Sequence, residues 1–274
     1  MTEAKTGEAA HKPMFSTKRS DGWRNAPIAI AVGFTLFIIY ATWRAFENQH
    51  YEIGNLLSPF YSPKLPWPHV LDFLPLALRS PAVLILWIPA GFRATCYYYR
   101  KAYYRSYFMT PPACAVSGYK PSWINNLIGK YKGETAFPFV LQNIHRYMFY
   151  FATIVLAILW WDALQTLFVN GHFFNFGFFQ VSVGTLVFFV NVVFLSNYSF
   201  GCHAFRHLIG GRMDCFSCGE QAKTCLGFWE KVSKLNEHHQ FWAWLSLFSV
   251  AGTDFYTRCV STGAIQDLVL FSIQ

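Results

Sequence analysis

"PIAIAVGFTLFIIYATW", residues Pro27–Trp43, runs without a charge on any face. A surface helix of a soluble protein keeps one polar side, and this stretch has none. About 20 such residues cross the hydrocarbon core of a bilayer. The stretch therefore reads as a membrane helix, and the whole composition agrees. The chain is 54% hydrophobic, 20% aromatic and 13% charged, against roughly 25% charged residues in an ordinary soluble domain.

Four further stretches repeat the pattern: about Pro81–Tyr99, Arg146–Val169, Phe173–Phe200 and Phe241–Val260. The expected fold is an all-α integral membrane helical bundle with five transmembrane helices. Pro89 should kink the second, because proline removes an intrahelical hydrogen bond. A short turn around Asn170–Gly171 makes the third and fourth antiparallel neighbours. Basic residues gather in the leader (Lys5, Lys12, Lys18, Arg19, Arg24), over Arg100–Lys132 and over Arg206–Lys234. With five spans, the positive-inside rule puts the N-terminus and both basic loops in the cytoplasm and the C-terminus outside.

The expected organisation is a flexible basic cytoplasmic leader over 1–24 and a five-helix membrane domain over 25–274. That domain has an outer loop over 44–79 and cytoplasmic loops over 100–140 and 201–238. The first ten residues look disordered. No small-residue cleavage site follows the first apolar run, so that run reads as a retained helix. The outer loop, with Pro59, Tyr61, Pro63, Pro66, Trp67, Pro68 and Pro75, reads as an aromatic and proline-rich cap. The formal charge of +8 fits basic loops against anionic lipid and a protein partner, and no nucleic acid. "YYYRKAYYRSYF" (Tyr97–Phe108) serves equally as an interfacial belt or a docking surface.

The chemistry concentrates in "CHAFRHLIGGRMDCFSCGEQAKTC", Cys202–Cys225. His203 and His207 are four apart and share one helix face. Cys215 and Cys218 form a CxxC pair, and Gly210–Gly211 between the pairs suits a reversal. Three metal sites compete. Zinc takes mixed Cys and His ligands. A four-cysteine [2Fe-2S] cluster would use Cys202, Cys215, Cys218 and Cys225. A Rieske-type [2Fe-2S] cluster places two Cys on one iron and two His on the other. A disulfide is disfavoured, because cytoplasmic thiols stay reduced. The plain alternative is ordinary Cys and His at a helix end. Cys96, Cys114 and Cys259 are isolated and read as packing.

"LQNIHRYMFY" (Leu141–Tyr150) brings Gln142, Asn143, His145, Arg146 and Tyr147 to a membrane edge. These residues suit a quinone pocket, which needs an apolar slot and a donor for each carbonyl. A snorkelling interfacial anchor is the plainer reading. Trp229, His238, His239 and Trp242 would lie beside the same interface. A haem through His145 or His238 is not favoured, since no histidine sits in mid-span. A membrane di-iron oxygenase would need about eight clustered histidines, which the chain does not place on one face. Asp254 and Arg258, four apart, read as a helix-end salt bridge.

Over most of its length, and most specifically in "CHAFRHLIGGRMDCFSC", the sequence resembles the membrane-anchor subunits of actinobacterial succinate dehydrogenases that carry a membrane-embedded Rieske-like cluster. The resemblance implies plasma-membrane location and soluble flavoprotein and iron–sulfur partner subunits. It allows a homotrimer of the whole complex. It implies electron flow from succinate through a [2Fe-2S] cluster to menaquinone. Carried over, the ligands would be His203, His207, Cys215 and Cys218, with Cys225 and Cys202 as alternates. Ordinary anchors of this kind hold haem between mid-span histidines, which this chain lacks. A zinc-stabilised scaffold without redox role is the alternative of another class.

Overall fold

The computed structural model describes residues 16–64, 79–109, 111–116, 135–136, 139–169, 178–211, 214–215 and 217–273. The first ten residues, Pro66, Trp67, Pro68 and Pro75 of the loop over 44–79, and the expected turn at Asn170–Gly171 lie outside them. Among the described residues the chain is predominantly helical, with two small antiparallel sheets. Two compact units divide it: residues 1–35 with 100–140, and residues 36–99 with 141–274.

The first unit holds the start of α1 (Asn25–Glu47) and most of α4 (Tyr97–Ser106). The Tyr107 hydroxyl donates to the Ala31 carbonyl at 2.9 Å and lies 2.9 Å from Thr35 Oγ1. Arg19 holds Asp21 and reaches the Cys114 carbonyl at 3.1 Å. α1 is apolar all round. Only Arg44 and Ala45 near its end are buried, while Ile28, Val32, Leu36 and Ile39 are exposed. A helix that exposes large aliphatic side chains on several faces is dressed for lipid rather than water.

The second unit contains α2 (Pro81–Ile85), α3 (Trp87–Ala94), α5 (His145–Gln165), α6 (Val183–Phe200), α7 (His203–Gly210), α8 (Glu220–Glu237) and α9 (His239–Ser261). α5 and α6 pack through Leu159, Ala163, Phe188 and Val192, and Trp160 Nε1 donates to Ser196 Oγ at 2.9 Å. α9 lies along α6, where Ser249 Oγ donates to Asn191 Oδ1 at 2.9 Å. α6 starts in a capping box: Ser182 Oγ accepts from the Thr185 amide, and Thr185 Oγ1 accepts from the Ser182 amide.

β1 (Glu52–Ile53) and β2 (Leu56–Leu57) form a tight hairpin. Gly54 takes φ 55° at its first loop position, which side chains rarely adopt. β3 (Phe168–Val169), β4 (Phe178–Ser182) and β5 (Val269–Ile273) form an antiparallel sheet in that order, with Gln180 opposite Ser272. The β3–β4 pairing returns the chain from α5 to α6, so those two helices are antiparallel neighbours as expected.

The expectation of five spans is corrected. Among the described residues three helices are long and apolar enough to cross a membrane: Asn25–Glu47, Val140–Gln165 and Val183–Phe200. The Pro81–Tyr99 stretch is broken into α2, α3 and the start of α4. Its apolar part, Pro81–Ala94, is short of a span. α9 has 23 residues, but His239, Gln240, Asp254, Arg258 and several Ser and Thr dilute its apolar character. The fourth stretch starts later than expected, because Phe178–Ser182 is strand. The odd-number argument that put the N-terminus in the cytoplasm falls with the count of five.

Candidate functional site

Four chain segments meet where α3 ends: the α3–α4 junction, the start of α5, the α6–α7 junction and the start of α9. The helix break at Thr95–Cys96 turns Cys96 inward, 2% exposed. Cys202 stands at the N-cap of α7, also 2% exposed. His145 opens α5 and His239 opens α9.

These residues form two thiol–imidazole pairs. His145 Nε2 lies 2.9 Å from Cys202 Sγ, and His239 Nε2 lies 3.6 Å from Cys96 Sγ. Cys96 is close enough to Cys202 for the two sulfurs to repel if charged, and burial pushes the Cys202 thiol up to about 12. Cys202 is thus a protonated thiol and the donor in its pair. His145 stacks on Phe92 at 4.8 Å and its Nδ1 lies 2.9 Å from Thr95 Oγ1. His239 stacks on Tyr198 at 5.0 Å, and its Nδ1 is buried with no hydrogen-bond partner among the described residues.

Arg93 caps the cluster from α3. Its guanidinium lies 4.7 Å from the Tyr198 ring centroid, and it donates to the Ala243 carbonyl at 3.1 Å and to Ser246 Oγ at 3.0 Å. Tyr99 donates to the same carbonyl at 2.5 Å. The fold admits this crowding through glycine. A Cβ on Gly201 would lie 2.6 Å from the Asn197 carbonyl oxygen, 3.2 Å from Leu235 and 3.4 Å from His239 Nδ1. Asn236 on α8 donates to the Gly201 carbonyl at 2.7 Å and fixes that close approach.

An apolar cavity of about 150 Å³ adjoins the cluster. Phe37, Phe60, Pro89, Phe92, Arg93 and Tyr198 are in its wall. Arg93 and Tyr198 belong to both features, and the Tyr198 hydroxyl has no hydrogen-bond partner among the described residues.

The ligand set expected from the sequence does not assemble. Cys215 and Cys218 are disulfide-bonded to each other, against the expectation of free thiols. Their sulfurs are therefore not available to a metal. His203 and His207 do share a face of α7, with rings 4.5 Å apart and nearly perpendicular, but both are exposed. Partial desolvation, then the neighbouring His207 and Arg206, lower the His203 pKa. Cys225 is half-buried on α8. Among the described residues no three His, Cys, Asp or Glu are grouped to hold a metal ion. That corrects the [2Fe-2S] expectation and counts against the zinc alternative, and the cluster route to menaquinone falls with the cluster. Of the two histidines weighed for a haem, His145 is held by Thr95 and Cys202, and His238 is exposed.

The residues weighed for a quinone are split. His145 and His239 point into the cluster. Arg146, Tyr147 and His238 are exposed, and Gln142 is half-buried. Trp229 stacks under Arg206 at 4.5 Å and fills the space that Gly210 leaves open. Trp242 packs on Phe194 at 6.1 Å. Cys96, Arg93 and Tyr198 were missed. A lone cysteine in an aromatic run carries the same signal as packing. The usable clue was the charge of Arg93 inside an otherwise apolar stretch.

Among the described residues the fold is that of a multi-pass membrane helical protein with buried polar groups gathered at one helix junction. Residues 25–263 match the family described as actinobacterial succinate dehydrogenase subunit SdhC, and the chain belongs to that family. It is also similar to a chain of the Mycobacterium smegmatis Sdh1 complex in the apo form. Identity is 36%, the TM-score is 0.79, and the match covers 99% of each chain. No curated protein matches. The chain is a multi-pass protein of the bacterial plasma membrane and a non-catalytic membrane subunit of a succinate dehydrogenase-type complex.

Proposed function

We propose that the chain anchors a succinate dehydrogenase and forms the outlet for its electrons, at a quinone site in the Arg93–Tyr198 cavity. Soluble flavoprotein and iron–sulfur partners would oxidise succinate to fumarate and release two electrons and two protons. A quinone in the bilayer would take up two of each and leave as quinol. The observation that carries this reading is the cavity itself. Its wall is apolar, as a quinone ring and tail require, and Arg93 and Tyr198 supply donors for carbonyl oxygens. His145 and His239 stand next to those donors.

The test is succinate-driven quinone reduction by the purified complex, measured against quinone concentration. Tyr198→Phe and Arg93→Lys should raise the quinone KM severalfold. Succinate oxidation by a water-soluble dye that draws electrons from the soluble partners should be unchanged. An unaltered quinone KM in both variants would sink the assignment.

A further inference from the structure

We infer that the first unit carries a binding site for the phosphate headgroup of an anionic phospholipid, at the polar end of α1. A cavity of about 340 Å³ lies there, and Trp23, Arg24, Ile28, Val32, Arg105 and Ser106 are in its wall. That volume is in the range of small-ligand sites, roughly 300–1,000 Å³.

The wall changes character along its length. Arg24 and Arg105 are exposed side chains in it, and neither guanidinium is paired with a carboxylate among the described residues. Arg24 lies over the Trp23 ring at 5.2 Å, which directs it without neutralising it. Ser106 Oγ is buried with no hydrogen-bond partner among the described residues. A buried hydroxyl left unpaired is costly unless something in the cavity engages it. Guanidinium groups match phosphate geometry with paired donors, and a hydroxyl adds one more.

The charge balance selects an anion. Lys18, Arg19, Arg24, Arg100, Lys101 and Arg105 share this unit with one described carboxylate, Asp21, and Arg19 already holds it. The apolar part selects a lipid over a free ion. Ile28 and Val32 are 57% and 52% exposed on the membrane-spanning helix and continue the cavity wall. An acyl chain would run along them while the headgroup stayed with the arginines. Trp23 lies just before the Asn25–Glu47 span, the flanking position where tryptophan is enriched.

The experiment is native mass spectrometry of the intact complex with quantification of retained lipid, on wild type and on the Arg24→Gln/Arg105→Gln double variant. Both positions are exposed, so the variant should assemble, as size-exclusion chromatography would show. Retained phosphatidylglycerol should fall at least fivefold in the double variant and by a smaller factor in Ser106→Ala. Reloading delipidated complex should favour phosphatidylglycerol over phosphatidylcholine, and inorganic phosphate at matched concentration should not displace it. Equal retention in the double variant, equal uptake of phosphatidylcholine, or displacement by inorganic phosphate would each overturn the lipid site.

Discussion

Arg44 on α1 and Asp254 on α9 form a two-pronged ion pair with neither side chain exposed to solvent: Nε lies 2.7 Å from Oδ2, and Nη2 lies 3.1 Å from Oδ1. Tyr40 donates to Oδ2 at 2.5 Å, Ser58 donates to Oδ1, and Arg44 also holds Glu47 and the Gln49 carbonyl. Arg258, expected to pair with Asp254, instead pairs with Glu47 at 2.5 Å and covers Trp43. Every polar atom of the pair is engaged, which is the condition under which buried charges are tolerated.

Removing one partner strands the other. Arg44→Met or Asp254→Leu alone should cost about 3–5 kcal/mol, while the double replacement should cost clearly less. Thermal unfolding of the detergent-solubilised complex, followed by tryptophan fluorescence, measures both. Single variants as stable as wild type would show that the pair does not hold α1 to α9.

Two glycines should respond in opposite directions. At Gly201 an added methyl meets a backbone carbonyl at 2.6 Å, which cannot move aside. Gly201→Ala should destabilise by about 1–3 kcal/mol, the usual range for overpacking. Gly227 lies within α8 with nothing inside 4 Å of its absent Cβ. Gly227→Ala should stabilise by about 0.5–1 kcal/mol, the helix-interior cost of glycine. The two thermal midpoints decide it. A Gly201→Ala variant that melts with wild type would mean that the backbone between Asn197 and Gly201 relaxes to admit the methyl.

What could be read from the sequence follows physical contrast. Pro27–Trp43 and the α5 and α6 stretches are continuously apolar, and nothing but a span explains them. Pro81–Tyr99 looked continuous because its interruptions are small: a proline, one arginine, and a Thr–Cys pair where the helix breaks. In α9 the aromatic residues suggested a span, and Asp254 and Arg258 argued against it. The site was harder to find. CxxC spacing at Cys215–Cys218 fits a metal site or a disulfide equally, and the two cysteines bond to each other. Cys96 and Cys202 are 106 positions apart in a chain with seven cysteines, so only the packing of the α3–α4 junction against the α6–α7 junction brings them together.

Thiol chemistry separates those cysteines. With a pKa near 12, about one Cys202 in ten thousand is thiolate at pH 8, and burial blocks reagent access. Maleimide at pH 8 should label exposed Cys114 and spare Cys96 and Cys202. A mild reductant should add Cys215 and Cys218 to the labelled set. Peptide mass mapping reads each site. The Cys202 labelling rate should climb tenfold per pH unit if the complex stays folded, because the thiolate fraction does. Rapid labelling of Cys202 at pH 8 would contradict its burial.

The pairing of Thr95, His145 and Cys202 sets a proton arrangement that a conservative substitution should reverse. Thr95 Oγ1 donates to the Gly91 carbonyl at 2.7 Å, so toward His145 Nδ1, 2.9 Å away, it can only accept. His145 therefore carries its proton on Nδ1, and Nε2 is free to accept from the protonated Cys202 thiol at 2.9 Å. Thr95→Val removes the acceptor and leaves a half-buried N–H unpaired, at a cost of about 1–3 kcal/mol. The proton then gains nothing by staying on Nδ1, and the Cys202 S–H loses its strong acceptor. The S–H stretch, assigned by its loss in Cys202→Ala, should be shifted down in wild type. It should return toward the free-thiol position in Thr95→Val and stay shifted in Thr95→Ser. An S–H band that ignores Thr95→Val would mean that the thiol is not bonded to His145 in the assembled complex.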